Sequence, residues 1–103
     1  MQSYSDEVGV PDYIQLMKDY LGGRIDAQEY TRNYFDLNAK RVWIPNEEAS
    51  RITQQAYGDA DDYEPDAALR EKNAQWIGEQ ELRNRVAKSL RELEALGHQV
   101  DQD

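Results

Sequence analysis

Residues 11–37 read PDYIQLMKDYLGGRIDAQEYTRNYFDL and contain two helical patterns separated by a pair of glycines. In the first pattern Pro11 suits an opening turn, and apolar residues recur at spacings of three and four, as in an amphipathic helix. These apolar residues are Tyr13, Leu16, Met17, Tyr20 and Leu21. Gly22 and Gly23 end the pattern, because glycine adopts left-handed backbone at little cost. Asp26 and Glu29 have the spacing of a capping box, so a second helix is predicted to begin there.

A third helix is predicted to follow the second. The second helix, with Ala27, Tyr30, Tyr34, Leu37 and Arg41 along one side, should end at residues 42–44 because Pro45 cannot continue it. Asn46 then offers an N-cap for a third helix. Its apolar stripe is Ile52, Ala56, Tyr57, Ala60 and Tyr63.

Residues 64–78 form a longer connection with one helical turn. A last helix should run from Glu79 to about Leu96 and stop at Gly97. Its seam consists of Leu82, Val86, Leu90 and Leu93, and its i,i+4 charge pairs are Glu79–Arg83, Glu81–Arg85 and Lys88–Glu92. No segment shows strand-like alternation, so we predict an all-α fold, an antiparallel four-helix bundle. Its domain covers residues 10–97, with flexible tails at residues 1–9 and 98–103.

Composition limits both the core and the partner. A chain of 103 residues is one domain, and because Leu, Ile, Val and Phe number only 19, seven tyrosines and two tryptophans should supply an aromatic-rich core. Cysteine is absent, and no apolar run is long enough for a membrane span or a signal peptide, so a cytoplasmic protein is expected. A net charge of −9 disfavours direct binding to nucleic acid or anionic membrane. It favours a basic protein partner.

The negative charge is concentrated in one segment. No Lys or Arg lies between Arg51 and Arg70, whereas five acids do: Asp59, Asp61, Asp62, Glu64 and Asp66. A solvated helix terminus would explain such a run. Acids at the C-terminal end of a helix, however, meet the negative pole of its dipole and one another, which costs stability. A cost tolerated without a local gain indicates that the acids serve a partner.

Metal and catalytic sites are not predicted. Asp59 and Asp61 open like a calcium loop, but Tyr63, Glu64 and Arg70 occupy the positions of the third ligand, the required glycine and the closing glutamate. His98 is the only histidine and has no cysteine neighbours, which disfavours a zinc site and leaves no histidine for a catalytic triad elsewhere. We therefore expect no metal, no cofactor and no enzymatic activity.

Three segments, residues 16–30 (LMKDYLGGRIDAQEY), 57–66 (YGDADDYEPD) and 77–83 (IGEQELR), carry a resemblance to a known family. In order and spacing they resemble the bacterial self-protective immunity proteins similar to the colicin D immunity protein. The resemblance implies a four-helix bundle that binds the nuclease domain of a tRNA-cleaving toxin and covers its active site with acids in place of tRNA phosphates. The toxin could be a colicin or a contact-dependent growth inhibition toxin, bound as a 1:1 heterodimer. The implied contact residues are Asp59, Asp61, Asp62, Glu64 and Asp66.

Some interpretations stay open at this point. The same negative electrostatic field would suit an acidic nucleic-acid mimic or adaptor that binds a basic host protein. A small helical enzyme is a weaker third possibility. Tyr63 is expected in the core because it continues the stripe of the third helix, and it is included among the contact residues because its hydroxyl can reach the rim. Trp43 and Trp76 fit either lids over the core or binding hot spots, and we favour lids.

Overall fold

The computed structural model describes residues 9–40 and 46–101, with side chains up to Leu96. This part of the chain forms five helices: α1 Val10–Leu21, α2 Ala27–Lys40, α3 Glu47–Asp62, α4 Ala67–Arg70 and α5 Glu79–Asp101. None of these residues forms a strand, so the predicted all-α class is confirmed. Helix α1 packs on α2 and α5, and α3 also packs on α2 and α5. The four long helices therefore surround one core.

The predicted helix caps between α1 and α3 are present. Gly23 has φ +83°, the left-handed conformation that ends α1. The Asp26 carboxylate accepts a hydrogen bond from the Glu29 N–H at 2.8 Å, and the Asp26 N–H donates back to the Glu29 carboxylate at 3.4 Å. Asn46 accepts a hydrogen bond from the Ala49 N–H at 2.9 Å. The predicted end of α2 at residues 42–44, Arg41, Trp43 and residues 1–8 of the predicted tail lie outside the described residues.

Four tyrosines form the centre of the core, as the composition predicted. Tyr13, Tyr20, Tyr30 and Tyr34 are each at most 1% exposed. Ring centroids lie 5.1 Å apart for Tyr13 and Tyr34, 5.7 Å for Tyr34 and Tyr30, and 4.9 Å for Tyr30 and Tyr20. This tyrosine core joins α1 to α2, and the Tyr34 hydroxyl extends it to α3 by donating to the Thr53 carbonyl at 2.6 Å. The two helical patterns in residues 11–37 thus meet face to face.

Helix α3 departs from its predicted stripe at one position. Ile52, Ala56 and Ala60 are buried, and Tyr63 is half-buried against the core. Tyr57 is 38% exposed, so its assignment to the core was wrong. It lies five residues after Ile52, which turns it about 140° away from the buried face. Its ring instead packs edge-on against Phe35, with centroids 5.4 Å apart.

The connection from residue 64 to residue 78, here called the 64–78 loop, contains the single helical turn expected, α4. Its two ends are bridged, because the Glu64 N–H donates to the Ile77 carbonyl and the Ile77 N–H to the Asp62 carbonyl, both at 2.9 Å. The Arg70 guanidinium donates to the Glu64 carbonyl at 2.7 Å and lies against Gly78, where an added Cβ would approach Arg70 Cζ at 3.1 Å. Ile77 is buried, so the closed end of the loop is anchored in the core.

Helix α5 is longer than predicted. It continues past Gly97 to Asp101, so the predicted stop was wrong. Glycine inside a helix costs only about 1 kcal/mol, and no proline follows it to enforce an end. Leu82, Val86 and Leu93 are buried, and Leu90 is partly buried. Of the predicted charge pairs, Glu81–Arg85 forms at 2.9 Å, whereas Arg83 donates to the Leu21 carbonyl at 2.9 Å and lies 5.2 Å from the centre of the Tyr20 ring.

Candidate functional site

Asp61 and Asp62 stand at the C-terminal end of α3, which has no basic residue in its last turn. Asp61 is exposed and Asp62 is half-buried. Among the described residues, neither carboxylate has a hydrogen-bond or ion-pair partner. These two acids therefore occupy the unfavourable pole of the helix dipole without local compensation.

Asp59 belongs to the interior of the bundle. It is only 8% exposed, and its carboxylate accepts a hydrogen bond from Arg85 Nη1 on α5 at 3.2 Å. Arg85 also binds Glu81 through Nε at 2.9 Å. Burial raises the pKa of the Asp59 carboxyl above its usual range, and the bond from Arg85 opposes that rise. The Asp59 carboxylate is thus an internal link between α3 and α5, whereas the acids that follow it are exposed or half-buried.

Glu64 and Asp66 are used partly within the 64–78 loop. The Asp66 side chain caps α4 by accepting a hydrogen bond from the Ala68 N–H at 2.9 Å, and the Glu64 carboxylate accepts one from the Asp66 N–H at 3.1 Å. Asp66 is exposed and Glu64 is half-buried. Both acids therefore shape the loop while adding negative charge to its surface.

Tyr63 brings together acids that are far apart in sequence. Burial raises the pKa of the Tyr63 hydroxyl, and the nearby carboxylates of Glu79, Asp26 and Glu64 raise it further. Asp26 caps α2 and Glu79 is the first residue of α5, so two helix N-termini meet the C-terminal end of α3 here. Sequence reasoning missed Asp26 and Glu79. Their only sequence signal is that each opens a helix.

The acidic end of the bundle consists of Asp26, Asp61, Asp62, Glu64, Asp66 and Glu79. Counting charges along residues 51–70 overstated the isolation of the acidic run, because Arg85 on α5 pairs with Asp59 and Arg70 contacts the Glu64 backbone within the loop. Arg85 neutralises Asp59, and the Arg70 guanidinium binds a backbone carbonyl of the loop. Asp61 and Asp62 remain the charges of the acidic end that have no partner among the described side chains.

Exposed apolar side chains lie beside this acidic surface. Trp76 is 36% exposed and Leu69 is 38% exposed, and both belong to the 64–78 loop. About a third of Trp76 is open to solvent and the rest is covered, which fits a lid over the core that also offers surface to a partner. A tryptophan in a loop that packs only partly on the core leaves the rest of its surface to solvent.

The site lacks the geometry of a metal centre in the described ranges, where no group of three or more His, Asp or Glu residues could hold an ion. A groove of about 340 Å³ between α3 and α5 is lined by polar and charged side chains that include Asp59, Arg85 and Ser89. Because Arg85 is bound to both Asp59 and Glu81, the groove is crossed by ion pairs. No helix in the described part of the chain is long and apolar enough to cross a membrane.

Comparison with known proteins identifies the family. No curated protein and no solved structure matches the chain. The model of one protein family, described as bacterial self-protective colicin-like immunity, matches residues 8–93. The match includes α1, α2, α3, the 64–78 loop and most of α5. The chain therefore belongs to the family of bacterial self-protective colicin-like immunity proteins.

Proposed function

We propose that this chain binds a nuclease toxin of the tRNA-cleaving type and neutralises it by covering its basic active site with the acidic end. Family membership indicates protection against a colicin-like toxin. The observation that carries the finer proposal is that Asp61 and Asp62 lie together, without partners among the described side chains, at a helix end that disfavours them.

Active sites that bind RNA carry Lys and Arg for the phosphates, so uncompensated carboxylates can take the place of those phosphates. The inhibitor acts as a binding protein with no catalytic step, and it binds the nuclease domain in a 1:1 complex. Because tRNA is a cytoplasmic substrate, the protective complex forms in the cytoplasm.

The test first asks whether the gene next to that of this chain encodes a basic nuclease-like domain, and then measures binding to a catalytically inactive form of that domain. Asp61→Ala and Asp62→Ala should each weaken binding and cellular protection. Truncating one member of a buried charge pair typically costs about 2–5 kcal/mol, mostly in dissociation. Glu92→Ala and Glu94→Ala on α5 are the charge-matched controls, and they should have little effect. Equal losses from both pairs would place the contact surface elsewhere.

Salt separates this proposal from a general acidic adaptor. The negative potential of this chain and the positive potential of the nuclease domain should steer their encounter. Association should therefore slow as the ionic strength rises past about 0.1 M, where the Debye length is about 10 Å. Binding to an unrelated basic protein such as lysozyme is the selectivity control. An adaptor would bind both proteins with similar affinity, whereas an immunity protein should retain only the nuclease domain at physiological salt.

A further inference from the structure

The 64–78 loop presents apolar surface at an otherwise charged end of the molecule. Three large apolar side chains are at least 36% exposed in the described part of the chain, and two of them, Leu69 and Trp76, lie on this loop. The third, Tyr57, packs against Phe35 on the outside of the bundle. Tryptophan is enriched among the residues that contribute most to the affinity of protein interfaces.

The loop is held in one shape by its own contacts. Hydrogen bonds at 2.9 Å join its two ends through the backbones of Asp62, Glu64 and Ile77. A third bond of 2.7 Å ties Arg70 across the loop to the Glu64 carbonyl. Asp66 caps the short helix α4 within it. A preformed loop loses little conformational entropy on binding, so its exposed side chains can contribute fully to affinity.

Trp76 adjoins the uncompensated acids, and Leu69 lies on the same loop. Trp76 immediately precedes Ile77, whose N–H donates to the Asp62 carbonyl, so the backbones of Trp76 and Asp62 run side by side. Asp61 is the next residue back along α3, and Glu64 and Asp66 lie on the loop itself. An apolar centre with a charged rim is the usual arrangement of a specific interface.

We propose that Trp76 and Leu69 form the apolar anchor of the toxin interface. They enter an apolar depression on the nuclease domain, next to the cations that bind RNA phosphates. The acidic end selects a basic partner, and the anchor holds it. This inference rests on the proposed function, and it adds a second recognition element that the charge pattern alone does not provide.

The first experiment measures dissociation constants for the same inactive nuclease domain. Trp76→Ala should raise Kd about 30-fold, the effect of a strong interface residue, mainly through faster dissociation. Leu69→Ala should raise it about 5-fold. Gln75→Ala is the matched control, because Gln75 is an exposed polar neighbour on the same loop and should leave Kd unchanged. Circular dichroism melts of each variant establish that the bundle is intact.

A second measurement leaves the loop unaltered and so does not depend on how Trp76→Ala folds. The chain is labelled with 5-fluorotryptophan in a Trp43→Phe background, which leaves Trp76 as the only fluorinated ring. Addition of the unlabelled nuclease domain should shift the ¹⁹F resonance and suppress its sensitivity to replacement of H₂O by D₂O, as burial of the ring requires. Tryptophans of the toxin carry no label and do not interfere.

The outcomes distinguish the anchor from the proposed function. If the unaltered chain does not bind the nuclease domain, both the proposed function and the anchor are wrong. If the unaltered chain binds but the Trp76 resonance is unchanged in the complex, the anchor alone is overturned. The same holds if Trp76→Ala and Leu69→Ala bind as well as Gln75→Ala does.

Discussion

The tyrosine core and the acidic end lie in the same small bundle but differ in how their side chains are satisfied. In the core, four tyrosine rings from α1 and α2 are at most 1% exposed, and each ring packs against the next. At the acidic end, Asp61 and Asp62 lack partners among the described side chains, and Trp76 and Leu69 are exposed. The core gains free energy from every contact, whereas the acidic end carries charge and apolar surface that do little for folding. Substitutions in the two regions should therefore separate stability from binding.

The largest expected effect is on the core. Tyr13→Ala removes a fully buried ring that packs 5.1 Å from Tyr34, and truncation of a buried aromatic residue costs about 3–5 kcal/mol. Urea denaturation gives the free energy of unfolding. Tyr57→Ala is the matched control, since it makes the same chemical change at a ring that is 38% exposed. We expect it to cost about 0.5–1.5 kcal/mol from the lost contact with Phe35. Similar losses from both variants would contradict the division between core and surface.

A second prediction concerns Asp59, an acid of the run that lies inside the bundle. Arg85→Ala should cost about 1–3 kcal/mol at pH 7, because it leaves the buried Asp59 carboxylate without its cation. Asp59→Asn should cost less, since the amide oxygen can still accept from Arg85 and burial no longer opposes a charge. Urea denaturation of both variants across pH 4–7 tests whether Arg85→Ala costs more stability than Asp59→Asn.

The sign of the pH dependence follows from the direction of the pKa shift. The folded-state pKa of Asp59 is raised, so its favourable contribution to stability is present at low pH and is lost as the pH rises through that pKa. Without Arg85 the shift should be larger, so the loss caused by Arg85→Ala should shrink as the pH falls towards 4. A loss that grows on acidification would mean that Arg85 does not favour the ionised form of Asp59.

The third prediction compares two hydroxyl groups within the core. The Tyr34 hydroxyl donates to the Thr53 carbonyl at 2.6 Å, whereas the buried Tyr30 hydroxyl has no hydrogen-bond partner in the described part of the chain. Tyr34→Phe should cost about 1 kcal/mol, the net value of one hydrogen bond. Tyr30→Phe should be neutral or stabilising, because it removes a buried polar atom that is not satisfied. Thermal melts of the two variants provide the test. A larger loss of stability from Tyr30→Phe than from Tyr34→Phe would refute the assignment of a hydrogen bond to Tyr34 and of none to Tyr30.

The sequence allowed prediction of the parts of the fold that depend on local chemistry. The capping box of Asp26 and Glu29, the Asn46 cap and the buried stripes each arise from residues within two turns of one another. Asp59 shows what was overlooked. It lies seven residues after Ile52, on the buried face of α3, so helical spacing alone could have placed it inside.

Other features of the site depend on tertiary packing. Arg85 is 26 residues from Asp59 along the chain, and only the packing of α5 on α3 makes it a partner. Asp26 and Glu79 join the acidic end because two helices begin beside Tyr63. Counting charges along residues 51–70 could not show that Arg85 pairs with Asp59. Nor could it show that Asp26 and Glu79 belong to the acidic end.

The smallest expected effect is on the acidic end itself. Asp61→Ala and Asp62→Ala should leave the free energy of unfolding unchanged or raise it by about 0.3 kcal/mol, because each removes a negative charge from the negative pole of α3. The bond between the Asp62 carbonyl and the Ile77 N–H uses backbone atoms, so the 64–78 loop should stay closed in both variants. Urea denaturation at low salt and at 1 M salt provides the test, since any gain should disappear once the charges are screened. A loss above about 1 kcal/mol would show that these carboxylates stabilise the fold. In that case their lack of partners would no longer indicate a surface kept for a toxin.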